Sequence, residues 1–523
     1  MTYLLNNTFF VIFIAPFLLG SITILSFSPF NLTFVNFFTF SALLALILII
    51  KKKTQSKFRK KSSNRYFFYL GCAFGTGFFL AGNYWIVISL THDEIFKGLI
   101  PVALVVIPLF LSLFFGVAIS LVGQFAGKKL YFILIFSLIF SIFEFIRGNI
   151  LTGFPWNLIS YSWSWSTETI QTLSLFGAYS LSLFSTTFFC IPFLFFTKKI
   201  YKKNIFILLT FLITFLINYS YGKFKLNNSN YKFDENINIR IVSPNFSIND
   251  YNNQSEETQL KRLIKISNPE KDKKTIFIWP EGIFYESSLE DIKKYQYLFE
   301  KNFSQKHLIV LGINHFVNQN NNEEKYYNSL AVLNYKLDIL SLYNKVHLVP
   351  FGEFLPFEKT LSRYGLKKVT PGYSSFTSGN TREIINLGSY FKEKKIHPLI
   401  CYEIIYPGKI KTKNQFPDLA INISEDAWFG KSIGPYQHFS KATYRAIEEG
   451  IFVARSANQG VSAFIDPGGK ILKSLNTGES GNIDLNFPYF YKKTLFSNYG
   501  NKIFYLIIFL YMFLILIFKK YKI

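Results

Sequence analysis

Three residues in the second half of the chain have side chains that together can transfer an acyl group through a thioester. Cys401 lies in a polar segment, whereas the two other cysteines, Cys72 and Cys190, lie within long apolar runs. An ordinary thiol has a pKa of about 8.5 and attacks carbonyls well only as a thiolate, so it needs a base or a nearby cation. Glu281 is a candidate base, and Lys345 is a candidate cation that also stabilises an oxyanion.

Two further groups near this set could take part in the same chemistry. The backbone N–H of Tyr402, directly after the thiol, is a natural second donor to an oxyanion. Glu353 follows Lys345 in the sequence and could orient the lysine or move protons. Taken singly, each residue also has an ordinary interpretation: Cys401 as a buried structural thiol, Glu281 as a turn residue and Lys345 as a surface cation.

These residues follow short apolar runs that are typical of strands. Thr275–Trp279 precedes Glu281, Asp338–Tyr343 precedes Lys345, and Pro398–Cys401 ends on the thiol. Strands alternate with helical patterns, which favours a layered α/β domain over residues 221–500. The other predicted strands are Ile237–Val242, His307–Gly312, Ser329–Leu333, Leu419–Ile423, Phe452–Ser456, Val461–Ile465 and Lys470–Leu472, and the predicted helices are Glu256–Lys265, Leu289–Lys301 and Pro435–Glu449.

The rest of the chain has the composition of a membrane protein. Half of all residues are hydrophobic and 19% are aromatic, and apolar runs long enough to cross a bilayer as a helix recur. We predict a bundle of seven spans over residues 1–220, and a final transmembrane helix with a short cytoplasmic tail over 501–523. The first span lacks a basic leader, so we expect it to be retained. The eight predicted spans are about 8–25, 32–50, 66–90, 98–125, 130–146, 168–196, 204–220 and 503–518.

Positive charge is concentrated in alternate loops between these spans. The net charge is +24, and the stretch Lys51–Arg65 alone holds eight cations, whereas residues 26–31 hold none. Basic loops lie on the cytoplasmic side of membranes. This pattern predicts that both termini are cytoplasmic and that residues 221–502 lie outside the membrane. The basic charge therefore needs no nucleic-acid partner.

The extended motifs around the three residues resemble the catalytic blocks of the nitrilase (carbon–nitrogen hydrolase) superfamily. Within it, the chain most resembles the apolipoprotein N-acyltransferase family, over nearly its whole length. The resemblance implies an outer domain with an α-β-β-α sandwich. The motifs that carry it are Trp279-Pro-Glu281, Tyr343-Asn-Lys345-Val-His-Leu-Val-Pro-Phe-Gly-Glu353-Phe, Cys401-Tyr402-Glu403, Ser424-Glu-Asp426-Ala-Trp428-Phe-Gly430, Gly434-Pro-Tyr-Gln-His438, Arg455-Ser-Ala-Asn458-Gln-Gly460 and Arg147-Gly…Gly153-Phe-Pro-Trp156.

The resemblance implies a role for each matching residue. Glu281 is the general base, Lys345 stabilises tetrahedral intermediates and Cys401 is the nucleophile. Three more residues match supporting positions near them: Glu353, Tyr402 and Glu403. Two departures affect the expected substrate groove: Glu425 stands where the family commonly has Asn, and Ser243-Pro-Asn245-Phe replaces a more usual stretch containing Gly and Asn.

The activity that the resemblance implies is transfer of an acyl chain from a membrane phospholipid to the N-terminal α-amine of a diacylglyceryl-modified lipoprotein. The expected location is the bacterial inner membrane, with the catalytic domain on the periplasmic side. We expect the protein to be a monomer. Two rivals stay open on the sequence: a membrane-anchored nitrilase-type amidohydrolase, and a non-enzymatic transporter or sensor. No HExxH or CxxC spacing and no glycine-rich phosphate loop occurs, so we expect no metal and no cofactor.

Several apolar residues near the motifs are candidates for a lipid entrance. The segment that follows Lys345 is the strongest candidate, because the sequence couples it to Lys345 and Glu353. The alternative for each candidate is a place in the domain core or in an aromatic belt at the membrane interface. The candidates are Phe351, Phe354, Leu355, Phe357, Trp156 and Trp428.

Overall fold

The computed structural model describes residues 7–54, 63–196, 202–248, 253–284, 286–318, 324–364, 367–369, 375–410, 416–489 and 492–521. The chain forms two compact units. The first, the membrane unit, comprises Met1–Val87, Asp93–Asn228 and Thr494–Ile523. The second, the sandwich unit, comprises Ser229–Lys493 together with the short segment Ile88–His92.

Seven helices of the membrane unit are long and apolar enough to cross a bilayer, among the residues that the structure describes. They coincide with seven of the eight predicted spans. At the remaining one, predicted at 8–25, the structure has a shorter apolar helix, α1 (Phe10–Ser26). The long helices are α2 (Val35–Thr54), α3 (Asn64–Thr91), α4 (Ile100–Gly123), α5 (Leu130–Arg147), α6 (Thr169–Phe195), α7 (Lys202–Asn227) and the C-terminal helix Lys502–Lys520.

Small residues allow these helices to approach closely. Gly71 on α3 packs against the backbone of Phe115 on α4, where an added Cβ would lie 2.6 Å from the carbonyl oxygen. Gly77, also on α3, faces the backbone of α1. Helices in lipid associate largely through such close packing, because apolar surface alone gives no preference for a neighbouring helix over lipid.

Two buried polar side chains near the end of α5 bind the loop that follows. Glu144 accepts hydrogen bonds from the N–H of Ile159 at 3.0 Å and the hydroxyl of Ser182 at 2.6 Å. Arg147 donates to the carbonyl oxygens of Phe154 and Asn157. Both side chains therefore bind backbone and hydroxyl groups that would otherwise be unsatisfied inside the membrane unit.

The sandwich unit contains two six-stranded sheets. The strands are β1 (Phe233–Ser243), β2 (Thr275–Ile278), β3 (His307–Asn318), β4 (Glu324–Leu333), β5 (Ile339–Asn344), β6 (Ile385–Asn386), β7 (Lys395–Ile400), β8 (Leu419–Glu425), β9 (Phe452–Asn458), β10 (Ser462–Ile465), β11 (Ile471–Leu475) and β12 (Gly481–Pro488). The strand order of the first sheet is β12-β1-β2-β3-β4-β5, and that of the second is β11-β10-β9-β8-β7-β6. Each sheet has three adjacent parallel strands, β1 to β3 in the first and β7 to β9 in the second.

A single apolar layer joins the inner faces of the two sheets. Ile276 and Ile278 of β2 belong to the same buried cluster as Ile421 and Ile423 of β8. The outer face of the first sheet is covered by α8 (Glu256–Ser267) and α9 (Gln296–Asn302), and the second sheet packs against α10 (Gly434–Glu449). This arrangement confirms the predicted α-β-β-α sandwich. Short helical turns lie at Glu94–Lys97, Ile159–Trp163, Glu358–Leu361, Cys401–Ile405, Asp426–Phe429 and Leu495–Tyr499.

Candidate active site

Cys401 lies where β7 ends and a 3-10 turn begins. Its φ is +48°, a left-handed value that is uncommon for a residue with a side chain and that costs about 1–3 kcal/mol. Cys401 therefore stands at the carboxyl end of β7, one of the three parallel strands of the second sheet, and the residue is partly exposed. Strained backbone of this kind persists where the surrounding contacts fix it, and it is typical of functional sites.

Glu281 and Lys345 extend from the other sheet and contact each other. Glu281 follows β2 and Lys345 follows β5. Lys345 Nζ lies 3.4 Å from Glu281 Oε1 and 2.8 Å from Glu353 Oε1, and the lysine is only 1% exposed. Burial lowers the pKa of Lys345, but the charges of Glu281 and Glu353 raise it to a net value above the ordinary one. The ammonium group therefore stays charged at neutral pH.

The thiol is electrostatically coupled to both of these groups. Its buried surroundings raise the pKa of Cys401 well above the ordinary value, Glu281 raises it further, and Lys345 opposes the increase. Lys345 thus acts in the direction expected from the sequence but does not outweigh the other effects. The resting thiol is protonated at neutral pH, so attack on a carbonyl requires a base to remove its proton. The structure brings Glu281, Lys345 and Cys401 into one cluster.

Asn328 on β4 is part of this cluster and was not predicted from the sequence. Its Nδ2 donates to Glu281 Oε1 and to Glu353 Oε1, each at 2.7 Å. One amide group therefore holds two carboxylates at a fixed separation around the lysine. The signal available in the sequence was a polar residue one position before the predicted strand Ser329–Leu333.

Two other hydrogen bonds fix the carboxylates from the opposite sides. The backbone N–H of Glu425 donates to Glu281 Oε2 at 3.1 Å. The backbone N–H of Val349 donates to Glu353 Oε2 at 2.8 Å. The departure at Glu425 thus contacts Glu281 through its backbone, while its side chain accepts hydrogen bonds from Asn458.

Glu403 forms hydrogen bonds with residues of both sheets. It is completely buried, and its Oε2 accepts a hydrogen bond from the N–H of Ile400 at the end of β7. Its Oε1 accepts from Tyr343, from Arg382 and from the backbone N–H groups next to Lys345. Burial alone would raise the pKa of Glu403, but Arg382 and these donors lower it, so the carboxylate stays charged.

The predicted entrance residues differ in exposure. Phe351 and Phe357 are 53% and 79% exposed, and both have a positive φ. Phe354 is partly buried and pairs through its backbone with Pro350, whereas Leu355 is buried in the domain. Phe351 and Phe357, with the partly buried Phe354 between them, form an aromatic segment shortly after Lys345, which we call the aromatic arm.

The two predicted tryptophans have different environments. Trp428 is partly exposed and its ring lies edge-on to His92, at 5.6 Å between centroids. Trp156 is only 1% exposed and packs against Trp85, at 4.6 Å, inside the membrane unit. This burial leaves Trp156 almost no open surface for a lipid, contrary to our expectation.

Within the described residues, no group of three or more His, Cys, Asp or Glu side chains is placed to hold a metal ion.

Comparison with known proteins gives consistent matches to both units. Residues 19–191 match the family described as Apolipoprotein N-acyltransferase N-terminal domain, and residues 276–487 match the family described as Carbon-nitrogen hydrolase. The apolipoprotein N-acyltransferase of Rickettsia bellii is 36% identical over 92% of this chain and 93% of that protein. The one of Bradyrhizobium diazoefficiens is 29% identical over 92% of this chain and 90% of that protein.

Among solved structures, an amidase of Nesterenkonia AN1 from the nitrilase superfamily is 15% identical. The match covers 50% of this chain and 94% of that chain, with a TM-score of 0.35.

Lys345→Met should move the pH dependence of Cys401 alkylation upward. Lys345 is the cation that lowers the thiol pKa, so its removal raises that pKa further and leaves less thiolate at a given pH. We expect the midpoint for reaction with iodoacetamide, followed by mass spectrometry of the Cys401 peptide, to rise by roughly one pH unit or more. Lys336→Met, at an exposed lysine, is the control. A midpoint that stays or falls in Lys345→Met contradicts the arrangement.

Asn328→Asp should destabilise the site, because a carboxylate would replace the amide that bridges Glu281 and Glu353. Losing both hydrogen bonds to these buried carboxylates and adding a like charge costs about 3 kcal/mol or more. The measurement is the thermal midpoint of the purified protein. Asn386→Asp is a matched control, because Asn386 donates to Glu393 in the same way but at an exposed position. Equal shifts in the two variants would show that Asn328 does not hold the carboxylates.

Proposed function

Because this chain belongs to the apolipoprotein N-acyltransferase family, we propose that it transfers a fatty acyl chain from a membrane phospholipid to the N-terminal α-amine of a diacylglyceryl-cysteine on apolipoproteins. The observation that supports this mechanism is the cluster of Cys401, a partly exposed residue whose thiol pKa is raised, with the buried Glu281–Lys345 pair. Such a cluster provides a nucleophile, a base and a fixed positive charge at one point.

The first half of the proposed reaction forms a thioester. Glu281 removes the proton of Cys401, and Sγ attacks the ester carbonyl of the phospholipid. Lys345 Nζ and the N–H of Tyr402 stabilise the oxyanion that develops on the carbonyl oxygen. When the tetrahedral intermediate collapses, the C–O bond of the ester breaks. The lysophospholipid alkoxide takes the proton from Glu281 and leaves, and the acyl chain remains on Cys401.

The second half returns the enzyme to its starting state. The uncharged α-amine of the acceptor attacks the thioester carbonyl, and the same two donors stabilise the second oxyanion. Glu281 accepts a proton from the attacking nitrogen and gives it to the departing thiolate, so the products are an amide and a free thiol. Exchange of an ester for a more stable amide needs no nucleotide. Water must be kept from the thioester, because hydrolysis would make the protein a lipase.

The same proposal places the protein in the bacterial cytoplasmic membrane. Drawing an acyl chain fully into water would cost about 0.8 kcal/mol per CH₂ group, so a phospholipid donor requires a thiol close to the membrane surface. The seven long apolar helices support membrane insertion. The alternation of basic loops supports a periplasmic catalytic domain and cytoplasmic termini. We also propose that the protein acts as a monomer, since one chain supplies every member of the cluster.

The proposed two-step reaction should give ping-pong kinetics. With phospholipid alone, purified protein should release about one equivalent of lysophospholipid in a burst, and Cys401→Ser should give none. When phospholipid and a diacylglyceryl-cysteine peptide are varied together, double-reciprocal plots of initial rates should be parallel. Release of ammonia from small amides, with no lysophospholipid, would favour a membrane-anchored amidohydrolase instead. No reaction with either substrate would favour a non-enzymatic role.

The aromatic arm is proposed to admit the acyl chain. Phe351→Asp combined with Phe357→Asp should lower lysophospholipid release by at least about tenfold, because two apolar side chains no longer contact lipid. Alkylation of Cys401 by iodoacetamide should change by less than about threefold, since a small reagent needs no apolar surface. Tyr297→Asp with Tyr390→Asp, at aromatic residues 53% and 48% exposed elsewhere in the unit, is the control. Equal loss of both reactions in the arm variant would indicate misfolding rather than lost lipid access.

A further inference from the structure

The peptide unit between Cys401 and Tyr402 carries two groups that matter for the proposed reaction. Its carbonyl belongs to Cys401 and its N–H belongs to Tyr402. A trans peptide is planar, so these two groups point in opposite directions and rotate together. Cys401 has a φ of +48°, a conformation that the residue does not adopt by preference. Any contact that holds the carbonyl therefore also aims the N–H.

His438 provides that contact. It lies in the second turn of α10, is completely buried, and its Nε2 is 3.3 Å from the carbonyl oxygen of Cys401. A carbonyl oxygen accepts hydrogen bonds but cannot donate them. The bond therefore requires a proton on Nε2, which both the Nε2–H tautomer and the doubly protonated ring provide.

A buried charged pair holds the opposite side of the imidazole ring. Nδ1 of His438 lies 2.9 Å from Asp426 Oδ1 and 3.1 Å from an NH2 group of Arg455. The same guanidinium donates to Asp426 Oδ2 at 2.7 Å, and the hydroxyl of Ser424 donates to Asp426 Oδ1 at 2.6 Å. Whichever of its two neighbours Nδ1 bonds, the ring of His438 on α10 is held either by Asp426, directly after β8, or by Arg455 on β9.

The far end of the same turn is held by the same helix. Arg445, seven positions after His438 and therefore on the same face of α10, donates through NH1 to the carbonyl oxygen of Ile405 at 3.2 Å. The helix thus contacts the first and the last carbonyl of the turn Cys401–Ile405. Neither contact touches the thiol, Glu281 or Lys345.

We propose that His438 is a positioning residue for the oxyanion donor. Its Nε2–H holds the Cys401–Tyr402 peptide so that the Tyr402 N–H points to the position where the oxyanion of the thioester-forming step develops. The inference rests on the proposed function, because that function assigns the N–H of Tyr402 its role. It adds a residue that contacts no substrate and acts only through the orientation of one peptide plane.

The test compares two reactions of the same thiol. Acylation by phospholipid passes through an oxyanion and uses the Tyr402 N–H, whereas alkylation by iodoacetamide forms no oxyanion. His438→Phe keeps a ring but removes the donor. In single-turnover experiments at saturating phospholipid, the acylation rate should fall by about 10- to 100-fold. The half-saturating phospholipid concentration and the alkylation rate should each stay within about threefold of the wild type, since neither depends on the oxyanion.

A pair of amide variants keeps the test informative if His438→Phe does not fold. Gln can place an N–H near the position of Nε2, whereas the shorter Asn cannot. We expect the order of acylation rates to be wild type, then His438→Gln, then His438→Asn, with alkylation nearly equal in all three. Equal acylation rates in Gln and Asn, unchanged acylation in Phe, or a parallel fall of acylation and alkylation would each overturn the inference. Absence of acylation in the wild-type protein would instead refute the proposed function.

Discussion

Lys345 is buried with its ammonium group between the carboxylates of Glu281 and Glu353. A buried cation is stable only when opposite charges and hydrogen bonds replace its lost hydration, and removing one partner of such a pair typically costs about 3–5 kcal/mol. The surrounding structure therefore has to hold both carboxylates close to one another despite their mutual repulsion. Asn328 does so with a single amide group, and backbone N–H groups bind the outer oxygens of both carboxylates. The contacts that keep the ammonium group of Lys345 charged are therefore the same contacts that fix the positions of the two carboxylates.

The second sheet of the sandwich supplies the thiol of Cys401, whereas the first sheet supplies the charged Lys345. The ends of β2 and β5 supply the carboxylate and the lysine, and the end of β7 supplies Cys401. Glu403 joins the two sides, since its carboxylate binds the last residue of β7 and the backbone beside Lys345 at once. The thiol itself is kept protonated by its environment. Under the proposed mechanism, such a thiol attacks only when Glu281 removes its proton in the presence of a substrate carbonyl, which limits its reaction with other electrophiles.

The sequence was sufficient to predict the parts of this arrangement that depend on local pattern. The strand before Glu281 was predicted at Thr275–Trp279 and is found at Thr275–Ile278. The helix predicted at Pro435–Glu449 is found at Gly434–Glu449. Seven of the predicted spans coincide with long helices, although α7 continues through Gly222 to Asn227, seven residues beyond the predicted end at 220. Strand alternation, turn residues and long apolar runs are patterns among residues that are close together in the sequence, so they can be recognised without knowledge of tertiary contacts.

The features that were missed depend on contacts between distant residues. Asn328 lies 47 positions from Glu281, and nothing in its immediate surroundings indicates that it faces two carboxylates. His438 was noted only as part of a motif, and its bond to the Cys401 carbonyl depends on how α10 packs beside the turn. Trp156 was expected near a lipid surface from the aromatic composition of its loop, but it packs against Trp85 and is buried. Side-chain direction at such positions is set by tertiary packing, which composition does not encode.

We propose that the acyl chain passes through a thioester on Cys401. Intact-protein mass spectrometry after incubation with a phospholipid of defined acyl composition detects such an intermediate. We expect an added mass equal to one acyl group, located on Cys401, which neutral hydroxylamine removes and which disappears when a diacylglyceryl-cysteine peptide is added. Continued N-acylation of the peptide by a protein in which Cys401 carries no acyl group at any time point would contradict it.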